Sequence, residues 1–238
     1  YEKPHAAKLL EAELAAPNYA PRTIALGSNT DPYQPIERSR QITRAILKVL
    51  QRTRHPVGIV TKSALVTRDI DILSEMAKDG LVKVALSVTT LDRNDAIRQL
   101  TGASIPTAVM VAPIVPGLTD HEIEDLLKNA KTSGATEAGY VLLRLPLEIK
   151  NLFREWLANE RPDRAKRVIS LQKSMHAGQD YRSEFGLRQT GSGPYAEQIA
   201  KRFRLALTRN TLNLRRVELR TDLFRKPVLS GGQFDMFA

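Results

Sequence analysis

Five short runs rich in β-branched residues recur along this chain, and a helical pattern separates each from the next. The runs are Thr23–Gly27, Val57–Lys62, Val82–Val88, Thr107–Val115 and Ala138–Leu145. This alternation is the sequence form of a parallel sheet with crossover helices. In the first gap Ile42, Ile46, Val49 and Leu50 share one helical face, with Ser39 placed to cap its start. Ile72, Leu73, Met76 and Ala77 form the next stripe, closed by Gly80. Thr119 and Glu122 make a capping-box pattern ahead of Ile123, Leu126, Leu127 and Ala130, and Gly134 ends that helix. A further helical region runs from Leu147 to about Arg209, with Trp156 and Phe203 expected in the core. The order β-α-β-α-β-α-β-α-β fits either a doubly wound sheet or part of a barrel. No strand is followed by a glycine-rich dinucleotide fingerprint.

Composition narrows the chemistry. A chain of 238 residues with 42% hydrophobic residues suits one large α/β domain better than two small ones. Cysteine is absent, which excludes a disulfide, a zinc-thiolate site or a cysteine nucleophile built from these residues. His5, His55, His121 and His176 lack metal-ligand spacing. The longest apolar stretches, such as Thr107–Val115, are far shorter than a membrane span, and no signal pattern opens the sequence, so a soluble, cytoplasmic protein is expected. A net charge of +10 favours polyanionic partners such as nucleic acid. The basic residues concentrate in Arg161–Arg167 and Lys201–Lys226 with only 5% aromatics, a pattern that a solvated basic face explains equally well.

Ligands in parallel α/β folds bind at the carboxyl ends of the strands. Here those ends are polar: Gly27 through Asp31 to Pro35 after the first run, Thr61-Lys62-Ser63 after the second, and Ser87 through Thr90 after the third. Ala112-Pro113 lies in the fourth, and the fifth carries Arg144 before Pro146. An ammonium and a hydroxyl can hold a carboxylate or ribose, and a guanidinium can clamp an anion. Each has an ordinary alternative: Lys62 as a snorkelling strand-end lysine, Ser87 as a strand-terminating hydroxyl, Asn29 and Asp31 as turn formers beside Pro32. Their convergence on one rim points to a polar ligand site.

The strings TDPYQPIE, VTKSALVTRDIDIL, VALSVTTLD, VMVAPIVPGLTDHEIE and GYVLLRLPLE, in this order, resemble the spore photoproduct lyase-like radical S-adenosylmethionine proteins, often labelled DNA repair photolyases. The resemblance implies an α/β partial (β/α)6 barrel of the radical type, holding a [4Fe-4S] cluster and S-adenosylmethionine. Such an enzyme cleaves the cofactor reductively to a 5′-deoxyadenosyl radical, takes electrons from an external donor and acts on nucleic acid lesions. By the same resemblance, Lys62 and Ser87 match positions that contact S-adenosylmethionine, and Asn29, Thr30 and Asp31 occupy the place where its amino group is bound. Ala112 would lie beside the adenine or its sugar. Arg144, from its place near the end of the fifth run, completes the expected cofactor-binding set. The cluster's CxxxCxxC motif and the first strand are expected upstream of Tyr1. The implied organisation is a barrel over residues 1–146, a helical extension over 147–229 and a tail over 230–238.

Two other readings remain open at this level. One is a lyase in which Lys62 forms a Schiff base, with Asp31 as its acid-base partner. The other is a nucleic-acid-binding module of the same fold without catalysis. Two further expectations concern particular segments. The passage from Asp92 to Asn94 lacks a Glu-Pro loop usual in the family, which suggests a discontinuity there. The C-terminal Gln233, Phe234, Met236 and Phe237 resemble a short bacterial sliding-clamp motif, tethered by Ser230-Gly231-Gly232.

Overall fold

The computed structural model describes residues 3–88, 94–179, 181, 184 and 187–228. The junction near Asp92 and the clamp-like tail lie outside the described residues. The strands β1 (Ile24–Leu26), β2 (Val57–Thr61), β3 (Val82–Val88), β4 (Thr107–Ile114) and β5 (Glu137–Leu142) follow the five apolar runs closely. They form one parallel sheet in chain order, β1-β2-β3-β4-β5. Leu143 to Leu145, expected to extend β5, lie beyond its end. No helix among the described residues is long and apolar enough to cross a membrane.

The chain divides into two compact units. The first comprises residues 1–85, 99–107 and 217–238. Its described helices include α1 (Ala6–Leu14), α2 (Glu37–Arg40), α3 (Ile42–Arg52) and α4 (Ile70–Lys78), and α5 (Asn94–Gly102) carries residues of both units. Leu47 and Leu50 of α3, Leu73 and Met76 of α4, and Val57 and Ile59 of β2 are buried, as their periodicities require. In β1 and β2 the register pairs Ile24 with Val57 and Leu26 with Ile59. Ser39 does not cap α3, because it lies inside α2 and donates its hydroxyl to Ile36 O. The cap comes from the buried Glu37, whose carboxylate accepts from the amides of Ile42 at 3.1 Å and Thr43 at 3.0 Å. A full negative charge thus meets the donors that a helix start leaves unpaired.

A segment beyond residue 216 returns to this first unit. The Arg220 amide donates to Gly80 O and the Arg225 amide to Thr53 O, at 3.0 and 2.7 Å. Phe224 packs against Tyr19 and His55, with ring centroids 5.5 and 5.3 Å apart. His55 is fully buried and neutral in its bonding: Nδ1–H donates to Pro56 O at 3.0 Å, and Nε2 accepts from the Tyr19 hydroxyl at 2.7 Å. Burial lowers its pKa.

The second unit comprises residues 86–98 and 108–216. It holds most of β4, all of β5, and the helices α6 (Ile123–Thr132), α7 (Ile149–Glu160), α8 (Pro162–Ser174), α9 (Leu187–Thr190) and α10 (Pro194–Arg209). The β4 and β5 register pairs Val109 with Ala138 and Val111 with Tyr140, then becomes irregular between Val111 and Ile114, where Pro113 cannot donate to the ladder. Val115, Leu143, Leu145, Leu157 and Val168 form a buried cluster under α7 and α8. Phe203 is buried against Tyr140, as expected, with centroids 4.7 Å apart. Trp156 is not in the core: it is 45% exposed, leaning on Phe153. Thr119 and Glu122 do not form a capping box, since Thr119 Oγ1 accepts from the Val115 amide and a 3-10 turn over Asp120–Glu122 leads into α6.

Candidate functional site

In the first unit, Gly27 ends β1 with φ +94, and a Cβ there would lie 1.8 Å from Val60 O. Only glycine permits so close an approach of the turn to β2. The chain then brings Asp31 to the end of β2. Asp31 Oδ1 accepts from the Tyr33 amide at 2.8 Å and the Thr61 hydroxyl at 2.7 Å, and Oδ2 accepts from the Lys62 amide at 2.7 Å. Thr61, read from the sequence as part of the polar strand end but not as a site residue, also accepts from the Ser63 amide at 2.9 Å. Asp31 therefore fixes the loop after β1 to the end of β2. Lys62, Asn29 and Thr30 stay exposed, and the Lys62 ammonium has no partner among the described residues. The acid-base partner that a Lys62 Schiff base would use thus has both oxygens engaged in scaffolding. Beside this loop lies a cleft of about 380 Å³ lined by Asp31, Gln34, Glu37, Thr43 and neighbours.

Behind that loop lies a buried ion network that the sequence did not reveal. The fully buried Asp69 accepts from Arg44 at 2.7 Å, from Arg68 at 3.0 and 2.8 Å, and from the Tyr33 hydroxyl at 3.0 Å. Arg68 also reaches Glu37 at 3.1 Å, and Arg44 reaches Asp71 at 3.0 Å. Burial alone would raise the Asp69 pKa, but the two guanidiniums hold it below its usual value. Burial and the adjacent Asp69 push the Tyr33 phenol up. The Arg68-Asp69-Ile70-Asp71 alternation of charge inside an apolar pattern was the available signal.

The other three expected residues belong to the second unit. Ser87 is buried near the end of β3, and Ala112 sits in the β4 irregularity before Pro113. Arg144 is exposed beyond β5, its guanidinium over the Tyr181 ring at 5.9 Å and donating to its hydroxyl at 3.4 Å.

Sequence reasoning also missed the clefts of this unit. One, of about 440 Å³, is lined by Asp120, His121, Arg164, Arg167, Tyr195 and Arg202. Tyr195 donates to Asp120, and Arg202 grips Glu124 through two bonds of 2.9 and 2.6 Å. Burial and the Asp120 carboxylate push the Tyr195 phenol up to about 12. Arg202 holds the Glu124 carboxyl below its usual range. A second cleft of about 430 Å³ shares His121 and Arg164 and adds Leu118, Thr119, Glu122, Trp156 and Arg161.

No family model matches the chain. An uncharacterized protein of Mycobacterium bovis is 32% identical over 187 residues, covering 71% of this chain and 55% of that protein. An uncharacterized protein of Mycobacterium tuberculosis gives the same figures. One from Methanocaldococcus jannaschii is 30% identical over 115 residues, covering 42% of this chain and 43% of that protein. The chain thus spans about half the length of the curated relatives it matches. Among solved structures, a cysteine-to-serine variant of spore photoproduct lyase superposes with a TM-score of 0.57 at 14% identity, covering 85% of this chain and 62% of that one. The fold is shared with spore photoproduct lyase.

That likeness does not extend to the cofactors expected above. The 238 residues contain no cysteine, and the described residues contain no cluster of three or more histidine, aspartate or glutamate side chains suited to a metal. A thiolate-ligated [4Fe-4S] cluster, with S-adenosylmethionine bound to it, has no ligand here. The expectation of those cofactors for these residues is corrected accordingly.

Proposed function

We propose that this chain is the ligand-gripping part of a lyase-like enzyme, its sheet an arc of a partial (β/α)6 barrel, acting on a nucleic acid substrate. The observation that carries the proposal is the rim of the first unit. Asp31 is consumed in bracing the loop, which leaves the exposed Lys62 as the charged side chain of the β2 end that is not engaged in scaffolding. In this reading Lys62 holds the carboxylate or phosphate of a small polar ligand, and Asn29 and Thr30 supply an amide and a hydroxyl to its polar substituents. Ser87, Ala112 and Arg144 serve the same ligand class from the carboxyl ends of their own strands. The fold shared with a lyase and the net charge of +10 support the enzyme class and the polyanionic substrate. No step is routed through a metal cluster.

The test is calorimetric titration with a panel of nucleosides, nucleotides and α-amino acids. Lys62→Ala should weaken whichever probe binds wild type by roughly tenfold or more, the loss of one charge-assisted bond, while Lys62→Arg retains part of it. If Lys62→Ala binds the panel as wild type does, or wild type binds none of it, the proposal fails.

A further inference from the structure

We infer that the paired clefts of the second unit form a nucleotide site, the first taking a phosphate and the second the neighbouring base. The inference deepens the nucleic-acid half of the reading above and rests on it for the substrate class alone. Its support is local. In the first cleft Asp120 accepts from Tyr195 and its charge faces Arg202, which also grips Glu124 beside the cleft. Two guanidiniums are left over. Arg164 has only its sequence neighbour Asp163, at 3.6 Å and on the surface, and Arg167 has no carboxylate partner among the described residues, its charge acting on the Tyr195 phenol. Gly117, with φ +71, keeps the loop close to them, since a Cβ there would sit 3.8 Å from Arg167 Nε and 3.0 Å from Leu171 Cδ1. Uncommitted guanidiniums in a concave setting match the oxygens of a phosphate, which accept from their forked donors.

The second cleft decides the ligand class. It opens beside the first through His121 and Arg164, and Trp156 lines it with an exposed indole, tilted 31° to Phe153 at 5.7 Å. A free inorganic anion or an acidic peptide would have no use for a planar apolar wall one cleft away. A nucleotide places a phosphate and a flat base at such adjacent positions, and stacking on an indole is tolerant of base identity.

Trp156 is the only tryptophan in the chain, so its fluorescence reports the site directly. The probes are inorganic phosphate, thymidine monophosphate, a short thymidine oligonucleotide and a duplex of equal length. The single strand should quench the indole and bind best. Arg164→Ala and Arg167→Ala should each weaken it about tenfold. Each should also reduce the slope of log affinity against log salt by about 0.7, one phosphate contact on a single strand. Trp156→Ala, followed by polarisation of a labelled strand, should weaken binding by roughly tenfold. Lys201→Ala, a basic surface change elsewhere on α10, should leave affinity near wild type. Equal quenching and affinity with the monophosphate would support the site and assign it to free nucleotides. Duplex binding without quenching, or arginine variants no weaker than Lys201→Ala, would overturn it. Lys62→Ala separates the two proposals, since it should leave the quenching by the oligonucleotide intact even if its small-ligand binding is lost.

Discussion

Two pairs of arginines in this molecule have opposite surroundings. Arg44 and Arg68, in the first unit, divide the carboxylates of Glu37, Asp69 and Asp71 between them, and Asp69 is wholly buried. Arg164 and Arg167, in the second, line an open cleft whose nearby acids are taken by other groups. A paired, desolvated guanidinium is scaffold, because any ligand would have to displace its carboxylate. One in a concavity with at most a single exposed carboxylate beside it, as Arg164 has in Asp163, is available. Net charge registers both pairs equally, which is why +10 by itself left a solvated face and nucleic-acid binding equally open.

The comparison can be broken most forcefully at Asp69. Asp69→Ala would strand two arginines and the Tyr33 hydroxyl, and should destabilise the protein by about 3–5 kcal/mol, read as a fall in the urea midpoint. A change under about 1 kcal/mol would mean that the network is not the scaffold described. Asp31→Ala should cost less, about 2–3 kcal/mol, by leaving the Thr61 hydroxyl and the amides of Tyr33 and Lys62 without their acceptor.

The pH dependence sharpens the contrast further. The folded pKa of Asp69 is depressed, so its contribution is fully present above the usual aspartate value near 3.8 and is lost as pH falls through the lower folded value. His55 is also depressed, and its neutral form is the one the fold accommodates. Its contribution is present above about 6.5 and declines as pH drops from there toward its folded pKa. Unfolding measured from pH 7.5 to 5.5 should show that decline in wild type and a flatter profile in His55→Gln. The smallest expected effect lies at the open pair. Arg164→Ala combined with Arg167→Ala should leave stability within about 0.5 kcal/mol, since neither guanidinium holds a buried partner.

The strands were legible because burial on both faces demands continuous β-branched runs, and those runs match β2, β3 and β4 to within a residue. The helical stripes were legible for a similar reason. What escaped was chemistry assembled by tertiary contact. Glu37 caps α3 from five residues upstream of Ile42, where Ser39 had the better local credentials. Tyr195 meets Asp120 across 75 positions, and Arg202 meets Glu124 across 78. Neither spacing has a periodic signature. Trp156 was misplaced because size and apolarity argue for burial unless a neighbouring position about 100° round the helix already fills the core, as Leu157 does on α7. Of the seven expected site residues, Asp31 was visible as a polar strand-end residue, but its role as a brace depended on Thr61 and the Lys62 amide.

The return of residues 217–228 to the first unit bears on how the protein is made. Phe224 closes over Tyr19 and His55, and the Arg220 and Arg225 amides tie down Gly80 and Thr53. During synthesis on a ribosome, the first 85 residues therefore emerge long before the piece that covers them, and the whole intervening unit is translated in between. The nascent first unit must wait with an uncovered aromatic patch. The second, whose residues 108–216 are contiguous, has no such delay. A released chain ending at residue 216 should accordingly present a protease-resistant second unit beside a first unit still open to cleavage and to chaperones.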